Sequence, residues 1–206
     1  MTELTSPLFD AAIARFDEAN RADPNVEWVD GAPHPKELLY AQQLTAWTRR
    51  LEPDASEALL LAARSQHLCR WEIPRTDYEP DRKGYLQWRR ALQKHHAEKA
   101  GAILREAGYA GDTIERVQNL LQKRNLTRDP EVQLLEDAVC LVFLSHQFRA
   151  FAEKTPEPKV IEILQKTWKK MTPRGHATAL DLELSDRERR LIEKALADAE
   201  ATAEGS

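Results

Sequence analysis

The chain has 206 residues, of which 42% are apolar and 31% are charged, and this composition is typical of a globular protein. Its 30 Lys and Arg residues against 34 Asp and Glu give a net charge of -4 at pH 7, which argues against a dedicated nucleic-acid-binding surface. Only 7 glycines are present, where an average chain of this length has about 14, so Gly-rich phosphate loops and most β-rich folds are not expected.

Cysteine content and hydropathy indicate the compartment. The two cysteines, Cys69 and Cys140, cannot form a disulfide framework and suggest a reducing environment. No apolar run reaches the roughly 18 residues of a membrane-spanning helix, and the N-terminus begins acidic and amphipathic rather than as a signal peptide. We therefore expect a cytoplasmic protein without a membrane partner.

Apolar residues recur at helical spacing along almost the whole chain, which predicts an all-α fold of about eight helices. Ser6 and Pro7 are a typical helix start, whereas residues 21–33, with two prolines and a glycine, predict a loop. Ser185 and Glu188 predict a capping box at the start of the last helix. The other helices are predicted over residues 35–51, 56–69, 81–107, 112–125, 130–152 and 156–171, with a break at residues 172–176.

Three histidines and one aspartate lie at the ends of predicted helices or on an apolar helix face. His67 ends the most apolar helix and Asp137 begins the second most apolar one, where a polar group without a partner is costly. His34 precedes a helix, and His96 lies on the apolar stripe of the longest one. Imidazole and carboxylate groups on rigid helices suit zinc, iron or manganese. We interpret the four as ligands of a divalent transition metal; the alternative is that each is a satisfied polar group at a helix end.

Charged residues surround Trp71 within a short stretch of the chain. Arg70 and Arg75 suit planar, bidentate recognition of a carboxylate or phosphate, and we interpret them as a clamp for an anionic substrate. The alternative is that an ion pair between arginine and Glu72 pins the loop, with the tryptophan as its packing anchor. Lys36 is a further substrate-binding candidate, against the alternative of a solvated lysine at a helix end.

Residues 169–176 form a second basic segment at a helix end. Gly175 permits an unusual backbone turn there, in a chain where glycine is scarce. We interpret the segment as one that closes over the mouth of the site and brings Arg174 and His176 to an anionic group. The alternative is a connector whose basic residues complement the dipole at a helix C-terminus.

The order of the candidate ligands resembles the HD-domain superfamily over residues 33–144. Those all-helical metalloproteins typically take ligands in the order His, His-Asp, optional His, Asp, which is similar here to His34, His67, His96 and Asp137. The resemblance implies a metal-dependent hydrolase. Some HD-like proteins use iron and oxygen instead, and the same ligands would serve them.

The chain departs from the HD pattern at one position. An HD domain has Asp directly after its second histidine, whereas this chain has Leu68. Glu72 is the nearest carboxylate to replace that Asp, and Glu72 and Glu136 are our candidates for the catalytic group that takes a proton from water. Losing one carboxylate favours zinc or iron over magnesium or calcium. Another option is a site that has lost its metal and kept its fold.

A closer resemblance covers nearly the whole chain. Residues 34–41 (HPKELLYA), 67–75 (HLCRWEIPR) and 170–176 (KMTPRGH) look like an uncharacterised bacterial and fungal family, domain of unknown function 4202. Some members carry a glutamyl-tRNA synthetase label. We discount that label, because this chain lacks the size of a synthetase and both the HIGH-type and the KMSKS-type nucleotide signatures.

The predicted architecture is a single HD-like helical domain over residues 1–206, with a core over about 33–144 and a C-terminal helical extension over about 157–203. The predicted function is metal-dependent hydrolysis of a small anionic substrate that is phosphorylated or a nucleotide. One alternative is an HD-like iron-dependent oxygenase. The other is a non-catalytic ligand-binding or interaction protein that keeps the helical shell. Nucleic acid is not an expected partner.

Overall fold

The computed structural model describes residues 6–126 and 128–204, and it confirms the all-α class. Over these residues there are ten α-helices, against the eight expected, and the one sheet is a two-stranded hairpin. None of the described helices is both long enough and apolar enough to cross a membrane. The helices are α1 (Pro7–Arg21), α2 (Lys36–Leu51), α3 (Glu57–Ser65), α4 (Arg82–Ala107), α5 (Gly111–Leu121), α6 (Pro130–Val142), α7 (Phe148–Lys154), α8 (Glu157–Trp168), α9 (Pro173–Leu180) and α10 (Asp186–Glu204).

In the first of two compact units, Met1–Leu135, α3 is the central helix. It contacts α1, α2 and α5, while α4 packs against α1 and α5. The apolar composition of α3 on nearly every side fits this position, because few of its residues face water. Burying each large side chain of this core contributes roughly 1.5–3 kcal/mol. The side chains removed from water include Phe16, Leu44, Leu59, Leu61, Leu104 and Leu120.

The second unit, Glu136–Ser206, is built around α8 and α10, and α7 contacts both helices. Its buried apolar side chains include Leu144, Phe148, Val160, Leu164 and Ile192. The predicted capping box at the start of α10 is confirmed. The Glu188 carboxylate accepts the backbone N–H of Ser185 at 2.7 Å, and the Ser185 hydroxyl accepts the N–H of Glu188 at 3.3 Å.

The loop predicted over residues 21–33 is wrong in its second half, where a β-hairpin forms. Strand β1 (Val26–Val29) pairs antiparallel with β2 (Ala32–Pro35). Asp30 and Gly31 join them with φ angles of 51° and 79°, the positive values that a two-residue hairpin turn requires. The Asp-Gly pair is the sequence signal for this turn, and the flanking prolines, which strands usually exclude, obscure it.

Helix α3 ends at Ser65 rather than at the predicted Cys69. The backbone of Cys69 has a φ of 52°, a left-handed conformation that cannot continue a helix. Its N–H donates a hydrogen bond of 2.9 Å to Oδ1 of Asn20, at the end of α1. A side chain distant in sequence therefore fixes this turn, and the local apolar pattern contains no sign of it.

Two differences from the predicted elements lie in residues 130–176. A π-helical segment, Phe143–Gln147, separates α6 from α7 within the stretch predicted as one helix. Residues 172–176 do not break a helix but begin α9. The Thr172 hydroxyl accepts the N–H of Gly175 at 3.1 Å, and Pro173 takes the first helical position, where its missing N–H costs nothing.

Close packing, rather than an unusual backbone turn, explains the glycine at position 175. The carboxylate of Asp137 accepts hydrogen bonds from the backbone N–H of Thr172 at 2.9 Å and from its hydroxyl at 2.5 Å. A Cβ atom on Gly175 would lie 2.8 Å from Cγ of Asp137, closer than two carbon atoms normally approach. The carboxylate beside α9 therefore requires a residue without a side chain.

Substituting alanine at two glycines tests this packing. We expect Gly175→Ala to lower the free energy of unfolding by about 1–3 kcal/mol, the usual cost of overpacking. Gly111→Ala is the matched control, because nothing lies within 4 Å of a Cβ built there, and it should stabilise the protein by about 0.4–1 kcal/mol. Urea denaturation of both variants measures the difference. Equal stabilities would contradict the close approach of Asp137.

Candidate histidine–carboxylate site

His67 is held by a carboxylate and an aromatic ring from α2. Its Nδ1 lies 3.0 Å from Oε2 of Glu37, and its ring stacks on Tyr40 with centroids 4.0 Å apart and planes 10° from parallel. Because an ionised carboxylate can only accept, Nδ1 must carry the hydrogen and donate it. The His67 side chain is 23% exposed.

Glu37 is itself fixed by the end of α1. Its backbone N–H donates to Oδ2 of Asp23 at 2.9 Å, and its carbonyl accepts from the amide nitrogen of Asn20 at 3.4 Å. Asn20, which has no exposed surface, also holds the N–H of Cys69 through its amide oxygen. One buried amide therefore ties the start of α2 to the turn that follows His67.

His96, on α4, is the second histidine of the site and is 3% exposed. Its Nδ1 lies 2.9 Å from the carbonyl oxygen of Leu68, which can only accept, so this nitrogen also carries the hydrogen. Its Nε2 is buried and has no hydrogen-bond partner in the part of the chain that the structure describes. The rings of His96 and His67 have centroids 5.8 Å apart. Glu37, Tyr40, His67 and His96 are called the histidine site below.

Burial keeps both imidazoles neutral. It lowers the pKa of His96 well below 6.5, and it also lowers the pKa of His67, although Glu37 opposes the shift there. A neutral imidazole with hydrogen on Nδ1 has a lone pair on Nε2, which is the form that binds a metal or accepts a proton. Burial raises the pKa of Glu37, but the hydrogen bond from His67 and the charge of Arg70 outweigh burial and lower it.

Three cations act on this one carboxylate and its histidine. The Nε of Arg70 lies 3.7 Å from Oε1 of Glu37, and its guanidinium lies over the ring of Trp88, 4.7 Å from the centroid. Lys36 acts electrostatically on Glu37, and Lys123 acts on His67. A cationic guanidinium beside the rings favours an anionic ligand.

Three other predicted residues of the first unit have different surroundings. His34 lies on β2, where its register partner is Glu27. Arg75 donates to the backbone carbonyls of residues 78 and 79 at 2.8 and 2.6 Å, so its guanidinium pins its own loop. Glu72 pairs with Lys99 at 2.7 Å and lies 3.5 Å from Nε2 of His95, the histidine beside His96.

The predicted residues of the second unit gather around the start of α9. Besides Asp137, buried Glu136 lies there, 3.6 Å from the ammonium group of Lys170. The ring of His176 stacks on Trp168 with centroids 4.3 Å apart, and its Nε2 donates to the carbonyl oxygen of Trp168 at 2.8 Å. Arg174 is the second residue of α9 and is exposed. Residues 169–172 connect α8 to α9, and the substrate-binding role of Arg174 and His176 stays a prediction.

Across residues 6–126 and 128–204, no group of three or more His, Cys, Asp and Glu side chains is placed to hold a metal ion. His67 and His96 supply two imidazole donors, which is fewer than the three protein ligands of most catalytic zinc sites. The four-residue ligand set stays a prediction. Sequence reasoning missed Glu37 and Tyr40, although both lie in the stretch 34–41 that carried the family resemblance.

Leu68 is not a vacant ligand position. Its side chain is wholly buried, and its backbone carbonyl accepts a hydrogen bond from Nδ1 of His96. Leu68 is therefore part of the core. An acid at this position would bury a carboxylate.

Substituting Leu68 tests whether this position belongs to the core or can supply a metal ligand. We expect Leu68→Asp to lower the free energy of unfolding by at least about 3 kcal/mol, because an unpaired carboxylate is buried. Leu68→Met, which conserves volume, should cost less than about 1.5 kcal/mol. Denaturant titration measures both. A stable Leu68→Asp protein that gains metal affinity would contradict the core role and favour an HD-type ligand at this position.

The neutral histidines also predict how stability depends on pH. Their unfolded-state pKa is near 6.5 and the folded-state pKa of each is lower. Above pH 6.5 both states are neutral; below it the unfolded chain binds protons that the folded chain does not. As the pH decreases below 6.5, the free energy of unfolding should therefore decrease by about 1.4 kcal/mol per pH unit for each histidine. The decrease should stop at the folded-state pKa of that histidine.

The test is urea denaturation of metal-free protein at several pH values between about 7.5 and 5.5. His96→Gln should remove its share of the slope and leave that of His67. A slope in His96→Gln equal to that of the wild type would contradict a neutral His96.

The fold and the histidine site define an all-α protein with a buried histidine–carboxylate cluster in its first unit. This chain belongs to the family described as Domain of unknown function (DUF4202), whose model matches residues 10–192. No curated protein and no solved structure matched it. The match confirms the family that the three sequence stretches predict, and the resemblance to HD domains stays a prediction.

Proposed function

We propose that this protein is a hydrolase of a small phosphorylated substrate, with a divalent transition metal bound through His67 and His96. One observation carries the proposal: the buried Nε2 of His96 has a lone pair and no partner among the described residues, beside the neutral ring of His67. Histidines that ligate metal usually donate their other N–H to a carboxylate or a backbone carbonyl. Glu37 and the carbonyl of Leu68 supply these two acceptors.

The side chains around the rings have separable roles in this proposal. When bound, a metal ion supplies Lewis-acid activation of water or of a phosphoryl oxygen. Arg70, Lys36 and Lys123 attract and neutralise the phosphoryl group, because they are the charges acting on the site. Glu72 stays our candidate to take a proton from water, since it reaches His95, whose ring contacts that of His96.

A second candidate function needs no metal. The described residues contain no group of three ligating side chains, whereas His67 and Glu37 alone form the pair that a general base needs. Glu37 orients the ring, and Nε2 of His67 accepts a proton from water or from a substrate hydroxyl. The anionic substrate and the role of Arg70 are the same in both candidates.

Metal content and activity together test the leading proposal. Purified protein, reconstituted with zinc, manganese or iron(II), should retain about one ion per chain and hydrolyse some phosphate esters in a screen of nucleotides and sugar phosphates. His67→Ala and His96→Ala should each weaken metal retention at least tenfold. His146→Ala is the control, because it changes a histidine in the second unit.

The outcomes of that test differ for each candidate. Hydrolysis that persists in EDTA but is lost in His67→Ala would favour the metal-free general base. Oxygen consumption by the iron-loaded protein, without hydrolysis, would favour the oxygenase alternative. Equal metal retention in both histidine variants and the control would contradict the proposed ligands.

A further inference from the structure

We propose that Glu37 is a positioning residue that fixes the tautomer of His67, holding the hydrogen on Nδ1 and leaving the lone pair on Nε2. What Nε2 then acts on rests on the proposed function, but the tautomer does not. The sequence pattern marks no role for Glu37, because its partner lies thirty residues along the chain.

Hydrogen-bond chemistry at His67 permits one tautomer only. The nearest partner of Nδ1 is Oε2 of Glu37 at 3.0 Å, and a carboxylate has no hydrogen to give. Turning the ring over would remove this bond and would leave a buried carboxylate oxygen without it. The stack on Tyr40, with centroids 4.0 Å apart, holds the ring plane while Glu37 selects its orientation.

Glu37 is constrained at both of its ends, as a positioning residue must be. Each oxygen has its own partner: Oε2 meets His67, and Oε1 lies 3.7 Å from Nε of Arg70. Its backbone N–H and carbonyl are bound to Asp23 and Asn20. With these four contacts, the carboxylate has little freedom to leave the imidazole.

His95 supplies an internal comparison in the same molecule. Its Nε2 lies 3.2 Å from the carbonyl oxygen of Cys69, so in this ring Nε2 carries the hydrogen. His67 and His96 both donate through Nδ1 instead. Three rings within one cluster therefore have assigned hydrogens, and only that of His67 depends on Glu37.

The experiment is nitrogen-15 NMR of the histidine rings in full-length, metal-free protein at neutral pH. In the wild type, His67 should show hydrogen on Nδ1. In Glu37→Ala it should shift toward hydrogen on Nε2, while His95 and His96 keep the wild-type pattern. Glu37→Gln should retain the wild-type tautomer, because the amide oxygen still accepts. Glu106→Gln, at an exposed position, is the control with the same change of charge.

Wild-type His67 with hydrogen on Nε2 would overturn the proposal, and so would an unchanged tautomer in folded Glu37→Ala. If Glu37→Ala fails to fold, the wild type and Glu37→Gln are the test. Both should show hydrogen on Nδ1 of His67, and hydrogen on Nε2 in either would contradict the proposal. A zinc titration of the same samples separates this inference from the proposed function. Zinc affinity should fall about 10–100-fold in Glu37→Ala. The predicted tautomers without any zinc binding would support the positioning role and contradict the metal site.

Discussion

The geometry of the histidine site depends on one buried side-chain amide. Asn20, at the end of α1, donates to the carbonyl of Glu37 and accepts from the N–H of Cys69. It thereby joins the first turn of α2 to the left-handed turn at Cys69. Without it, the backbone N–H of Cys69 would lose its partner, at a cost of about 1–3 kcal/mol. The carboxylate and the imidazole meet because these two segments are held together.

The histidine site contains a buried polar atom without a hydrogen bond to any described residue, which lowers the stability of the folded state. A buried ring nitrogen without a hydrogen bond is unfavourable, yet His96 keeps one beside a second neutral imidazole. The other nitrogen of this ring is satisfied, since Nδ1 of His96 donates to a carbonyl, as Nδ1 of His67 donates to Glu37. Buried polar atoms without a partner are rare in folded proteins, and a bound water, a bound ion or a catalytic role accounts for some of them.

Local sequence signals account for much of the fold. The bounds of α4 follow from a long apolar stripe that ends at Gly108, whose φ of 97° suits glycine. The start of α10 follows from its capping box. The sequence also contains a signal for the hairpin, the turn residues Asp30 and Gly31, but the prolines nearby obscure it. No sequence signal predicts the end of α3, because the left-handed turn at Cys69 depends on a side chain from another helix.

Sequence reasoning found part of the site for a physical reason. His67 and His96 stand out because polar residues in apolar helices need partners. Glu37 does not stand out, since a glutamate in the first turn of a helix is ordinary and its role exists only in three dimensions. Arg75 and His176 resemble substrate-binding residues in sequence, whereas in the structure both donate to backbone carbonyls. Composition and spacing identify the chemistry that is present, and tertiary contacts decide how it is used.

The most direct measurement is a crystal structure of the zinc-loaded protein, with anomalous diffraction recorded at the zinc absorption edge. We predict an anomalous peak bonded to Nε2 of His67 and Nε2 of His96, with Nδ1 of His67 still on Glu37 and Nδ1 of His96 still on the carbonyl of Leu68. Zinc bound through Nδ1, zinc bound only elsewhere, or no ordered zinc at saturating concentration would contradict it.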